Sequence, residues 1–122
     1  MTHEMNGYVP EQGDIIVINF NPSVGRESQK RRPAIVISDD DYNKATGLVA
    51  VCPITSTKRS QFIPLDESHR THGYINALQV KTLDFTEKQR EVSFIEKATL
   101  EELGETAQIV SMIFNFSELL GE

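Results

Sequence analysis

One short stretch constrains this chain more than any other: Arg32-Pro33-Ala34-Ile35-Val36-Ile37-Ser38. Ala34 to Ile37 form an unbroken apolar run rich in β-branched side chains. A proline precedes it and the acidic Asp39-Asp40-Asp41 follows, so it predicts a strand buried on both faces. Pro33 suits the first position of a strand, where a missing N–H costs least. It also pushes Arg32 into an extended conformation. Arg32 is then held at the lip of the sheet, where the core ends and solvent begins. Taken alone, an arginine so placed either closes a loop or serves a site, and the residues leave both readings open.

The rest of the chain builds around that strand. Gly13-Asp14 turns into a strand over 14–20, apolar on both faces, as in a barrel or a covered sheet. Residues 21–31 are too many for a tight hairpin and predict a mobile loop. A second strand covers 32–38. Asp39-Asp40-Asp41 caps one helical turn through about Thr46, and Gly47 ends it. A third strand covers 48–55, with Pro53 forcing a bulge or an edge near its end. Residues 56–61 read as a polar loop. Short strands follow over 62–65 and 91–97, residues 73–78 and 79–83 read as two strands or one bent strand, and 86–90 as one helical turn. Thr99-Leu100-Glu101-Glu102 has capping-box spacing and starts a helix reaching about Phe116. Leu100, Leu103, Ala107, Val110 and Phe114 form an apolar stripe to cover the sheet. Ile109, Met112, Ile113 and Phe116 add a second apolar face, which either meets a second subunit in a homodimer or is wrapped by the chain's own termini. Residues 1–7 read as a flexible tail. Together these elements predict a mainly β fold, a small antiparallel barrel with a long C-terminal helix, in one domain over 1–122.

Composition limits the partners. A chain of 122 residues, 39% hydrophobic and 25% charged, has room for one core and reads as soluble and globular. No apolar run approaches the roughly 20 residues of a membrane span, and the polar start lacks a signal peptide. A single cysteine cannot form an internal disulfide, so a reducing, cytoplasmic setting is expected. Cys52 lies within an apolar strand and reads as an inert packed thiol. The net charge of −6 argues at first against nucleic acid. Its distribution argues otherwise. Arg26, Lys30, Arg31 and Arg32 cluster with only Glu27 opposing them, whereas beyond Lys97 every charged residue is acidic. A local basic patch of this kind tracks phosphates.

Recognised catalytic spacings are missing. There is no phosphate-binding glycine loop, no His-Glu-x-x-His and no cysteine pair for zinc, and no cofactor or metal is expected. His69 and His72 are close enough to suggest an acid–base pair, or an exposed polar connection. RNA asks little of an enzyme, because its 2′-hydroxyl is a built-in nucleophile beside the scissile phosphorus. The protein must move two protons and stabilise charge on the phosphorane. Arginine suits the last task because its planar fork meets phosphate oxygens in pairs.

One ordered set of segments is more specific than any of its parts. Tyr8-Val9-Pro10 precedes Gly13-Asp14-Ile15-Ile16-Val17. Asn19-Phe20-Asn21-Pro22 and a loop with Gly25 and Glu27 lead to Arg32-Pro33. Asp41-Tyr42-Asn43, then Val49 to Thr55, then Ala77-Leu78-Gln79-Val80-Lys81-Thr82 complete it. From about Tyr8 to Phe116 this order resembles the MazF/PemK family of toxin endoribonucleases. The resemblance implies an SH3-like barrel and a two-fold dimer. It implies metal-independent, sequence-specific cleavage of single-stranded RNA, mainly mRNA, leaving a 2′,3′-cyclic phosphate and a 5′-hydroxyl, and inhibition by a cognate acidic antitoxin. Carried over by position, Arg32 and Thr55 are catalytic and Glu27 assists. Gln79 contacts RNA, and Arg26, Lys30, Arg31, Lys58 and Arg59 are the basic residues placed to bind it. Lys30 departs from the glycine that members often carry there. A related toxin of the same fold poisons DNA gyrase without cutting RNA; that is the alternative reading, with a barrel that only docks proteins behind it.

Overall fold

The computed structural model describes residues 2–20 and 31–122. Its sheet is assembled from strands whose successive residues enter two cores. β1 (Asp14–Asn19) pairs antiparallel with β2 (Arg31–Val36), and β2 pairs antiparallel with β3 (Leu48–Thr55). Ile15, Ile35, Cys52 and Ile54 face one core, and their neighbours Ile16, Ala34, Val36 and Val51 face the other. Alternation between two apolar faces is the signature of a sheet covered on both sides. Burial pushes the Cys52 thiol up to about 12, so it stays protonated and inert.

The long strand β3 is the hinge of the curl. One side holds β2. The other side is shared by β6 (Lys81–Asp84), on residues 48–51, and β5 (Tyr74–Ile75), on Ile54 and Thr55. Pro53, expected at a bulge or an edge, lies instead where this second side changes partner, so its missing N–H breaks no ladder of either neighbour. β4 (Ile63–Pro64) pairs with β5, and β7 (Ser93–Lys97) closes the far edge on β1, giving the order β4-β5-β3-β2-β1-β7. A register shift between Ile15 and Ile16 gives β7 one extra residue, and Ile95 packs on the first core. The result is the expected mainly β fold: an antiparallel sheet curled into a half-barrel with a C-terminal helix. A single 3₁₀ turn, Lys88–Arg90, precedes β7.

α1 (Asp40–Thr46) forms as its signals predict. The Asp39 side chain accepts from the Asp41 N–H, and Gly47 ends the helix at φ 75°. The N-terminal segment makes contacts with α1 and with the turn that follows it. The His3 N–H donates to Lys44 O at 2.8 Å, the His3 ring lies over Gly47, and Met5 bridges to Tyr8.

α2 (Leu100–Phe114) begins with the predicted capping box, Thr99 and Glu102 each serving the other's backbone. Its buried face is turned from the predicted stripe. Glu102 and Thr106 are buried, and Leu103, Ile109 and Val110 pack on the first core. Leu100 is 87% exposed and Phe114 51%. The polar contacts of Glu102 set this rotation. Its carboxylate accepts from the Asp66 N–H at 2.7 Å and meets His69 Nε2 at 2.8 Å. A short α3 (Ser117–Leu120), missing from the sequence reading, follows Asn115 in the left-handed conformation.

Candidate active site

The β2–β3 register places the two expected catalytic side chains together. Ala34 faces Pro53 across the ladder. Two residues outward on each strand the pleat returns to the same face, at Arg32 and Thr55. Arg32 is exposed at the start of β2, its backbone held on the other side against Ile18 of β1. Both side chains line one cleft of about 200 Å³.

The Thr55 hydroxyl accepts the Thr57 N–H at 3.2 Å, a short local turn. Its own hydrogen is thereby left to donate elsewhere. The backbone of Thr55 is wedged from behind by Gly73, which has φ +139°, and a Cβ there would come within 2.5 Å of Thr55 O. No side chain fits both that dihedral and that contact. Gly73→Ala is therefore expected to destabilise the fold by about 2 kcal/mol or more, read as a lower urea midpoint, and to slow any chemistry that needs Thr55 in place.

The outer wall is a turn closed by the Phe62 N–H donating to Arg59 O at 3.1 Å, which brings Arg59 and Phe62 to the cleft. Asn76 and Gln79 form the floor beyond β5. Two guanidinium groups thus face one small cleft, and among the described residues neither is held by a carboxylate. The arrangement suits an anion with several oxygens.

The other expected residues divide. Gln79 and Arg59 line the cleft, and Lys58 is exposed just before that turn without lining it. Arg31 alternates to the opposite face, where its guanidinium donates to Glu91 O at 2.8 Å and to Ser93 Oγ at 2.9 Å. Glu27, Arg26 and Lys30 lie outside the described residues. Thr57, Phe62 and Asn76 were missed. Only the Thr55-Ser56-Thr57 spacing hinted at a hydroxyl-capped turn.

The histidine pair does not form an acid–base site. His72 is exposed, while His69 is buried between two carboxylates, Nε2 to Glu102 at 2.8 Å and Nδ1 to Glu96 at 3.2 Å. Glu96 also accepts from the N–H groups of Arg70 and Thr71. Burial opposes the imidazolium, but the bonds to Glu102 and Glu96 outweigh it and raise His69 above its ordinary value. Burial likewise opposes the Glu96 carboxylate, but those backbone bonds and His69 bring it down to about 2. The cluster braces the connection over 66–72 against α2 and β7, away from the cleft.

The chain is similar to known proteins in sequence and in fold. The family profile of the PemK-like, MazF-like toxin of type II toxin-antitoxin systems matches residues 11–111. The endoribonuclease toxin MazF of Escherichia coli K12 is 36% identical over 77 residues, 62% of this chain and 69% of that protein. Endoribonuclease PemK of Escherichia coli is 31% identical over 80 residues, 61% of this chain and 60% of that protein. The crystal structure of MazF from Deinococcus radiodurans superposes with a TM-score of 0.77 at 30% identity, covering 88% of this chain and 98% of that one. A MazE–MazF complex from the same organism gives a TM-score of 0.73 at 28% identity, covering 88% and 96%. The chain belongs to the PemK-like, MazF-like toxins of type II toxin–antitoxin systems.

Proposed function

We propose that this endoribonuclease toxin cuts single-stranded RNA, mainly mRNA, at specific sequences in the cleft between Arg32 and Thr55. The observation that carries the reading is the meeting of the two side chains on one face, a cation and a hydroxyl donor at one small cleft. The 2′-hydroxyl of the substrate attacks the adjacent phosphorus, leaving a 2′,3′-cyclic phosphate and a 5′-hydroxyl. Arg32 offsets the charge that develops on the phosphorane, and Thr55 donates to a non-bridging oxygen. Glu27 serves proton transfer. Arg59, Lys58 and Gln79 hold neighbouring nucleotides, with Arg26 and Lys30 adding to the basic face. The nucleophile belongs to the substrate and the charge is met by arginine, so the reaction runs without a metal ion.

The test is incubation of the purified protein with a long RNA in excess EDTA, followed by mapping of the ends. Discrete cuts with 5′-hydroxyl ends are expected. Intact RNA would turn the reading to a toxin that acts by binding gyrase.

The cognate antitoxin is an acidic protein that inhibits by lying across the same cleft. A solved relative supports such a partner: MazF of Deinococcus radiodurans is bound to MazE. Among the described residues no helix is long and apolar enough to cross a membrane, and the protein acts in the cytoplasm, where mRNA is. It works as a homodimer. Leu100, Met112 and Leu119 stand 87%, 75% and 80% exposed along α2 and α3, apolar surface that a second copy would cover. Light scattering at micromolar concentration is expected to give about twice the chain mass; a clean monomer would contradict the dimer.

A further inference from the structure

The backbone of Thr55 lies beyond the β2 ladder. The β2–β3 register ends at Ala34 and Pro53, and β6 covers residues 48–51, so the ladder partner of Thr55 is Tyr74 of the two-residue β5. A strand that short fixes little by itself. Gly73 beside it lies against Thr55 O, and the Leu65 N–H donates to Gly73 O at 3.0 Å. Leu65 and Gly73 thus close the neck of the connection over 66–72, directly behind the end of β3. Among the described residues, every hydrogen bond that leaves this connection ends on Glu96 or Glu102. His69 is buried between those two carboxylates, with Nε2 to Glu102 at 2.8 Å and Nδ1 to Glu96 at 3.2 Å. Only an imidazolium donates from both nitrogens.

We infer that His69 is a positioning residue for RNA cleavage: its imidazolium, tied to Glu96 and Glu102, fixes the connection behind the end of β3 and so holds the Thr55 hydroxyl at the reacting phosphate. The inference rests on the reading of Arg32 and Thr55 as the cleavage site. It adds a group outside the cleft on which that site depends. The charged groups that face His69 are Glu102 of α2, Glu96 of β7 and Asp66 of its own connection. All three are carboxylates that favour the protonated ring. A neutral ring has one N–H, so one carboxylate loses its partner and the connection loosens. The hold on Thr55 is therefore whole while His69 is protonated and fades as pH rises through its raised folded value.

The test measures single-turnover cleavage of an RNA that spans a mapped cleavage site. Binding is read separately, by fluorescence anisotropy, with a fluorescein-labelled 2′-O-methyl oligonucleotide of the same sequence, which cannot be cut. His69→Gln offers one nitrogen where the imidazolium offers two. At about pH 6, below the ordinary 6.5 of histidine, it is expected to cut roughly 10- to 100-fold more slowly at saturating RNA, the range for losing a group that orients a catalytic one. It should bind the oligonucleotide as the wild type does. In a Thr55→Val background the same change should cost nothing further, because the two act through one hydroxyl. The loss should also shrink as pH rises through the point at which the wild-type His69 ring, followed by NMR, gives up its proton. Glu96→Gln keeps the side chain's volume, repeats the cycle if His69→Gln does not fold, and should be slowed in the same way. A loss that multiplies undiminished with that of Thr55→Val, one that stays constant while the ring loses its proton, or one that appears in binding instead of rate overturns the inference alone. A Thr55→Val protein that cuts as fast as the wild type removes the cleft reading itself, and the inference with it.

Discussion

Arg32→Ala is expected to slow single-turnover cleavage at saturating RNA by roughly 10²-fold or more, the scale for removing one preorganised charge-stabilising donor. The side chain is exposed and belongs to neither core, so the variant should fold as the wild type does. Arg32→Lys should recover only part of the rate, since an ammonium lacks the bidentate fork. Thr55→Val keeps the shape while deleting the hydroxyl. It also removes the acceptor of the Thr57 N–H, so a modest loss of stability should accompany the lost rate. Cleavage by Arg32→Ala at the wild-type rate would move the chemistry to another part of the chain.

Glu102→Ala is expected to cost about 3 kcal/mol of stability, because it strips a buried partner from His69. The same change also leaves the N–H groups of Asp66 and Thr99 without their acceptor. Urea unfolding measures it. Glu102→Gln keeps one acceptor and the volume, and should cost less. The cluster also sets a pH window. His69 is raised in the fold, so its contribution is whole below its ordinary 6.5 and fades as pH rises through the folded value. Glu96 and Glu102 are lowered, so theirs are whole above the ordinary 4.5 and fade as pH falls, for Glu96 toward about 2. The wild-type advantage over Glu102→Ala should therefore be greatest between about 4.5 and 6.5 and shrink on both sides. An advantage that stays flat from pH 4 to 8 would mean the charges contribute nothing.

The fold was legible where one physical rule acted alone. The apolar run behind Pro33, the capping box at Thr99 and the αL glycine after Thr46 each describe local structure, and each formed as expected. The helix face was misjudged because periodicity counts apolar residues only. Here a buried Glu102 with three hydrogen-bonding partners decided the rotation. His69 misled for the same reason, since nothing beside it in sequence announces two carboxylates that are 27 and 33 residues away. At the site, Arg32 and Thr55 were named from resemblance, and the strand register supplies the reason that they face one another. Phe62 and Asn76 escaped notice because their position depends on a turn and on where β3 changes partner. Neither fact is written in local composition.

The claim that one RNA phosphate lies between Arg32 and Thr55 can be observed directly. The protein, labelled with ¹⁵N, is saturated with the uncleavable 2′-O-methyl oligonucleotide, and the arginine Nε–H signals are followed by NMR, with Arg32→Lys assigning the Arg32 peak. The account predicts that this peak shifts on binding and becomes protected from exchange with water. A saturated complex in which the Arg32 signal keeps its free position and its free exchange rate would contradict it.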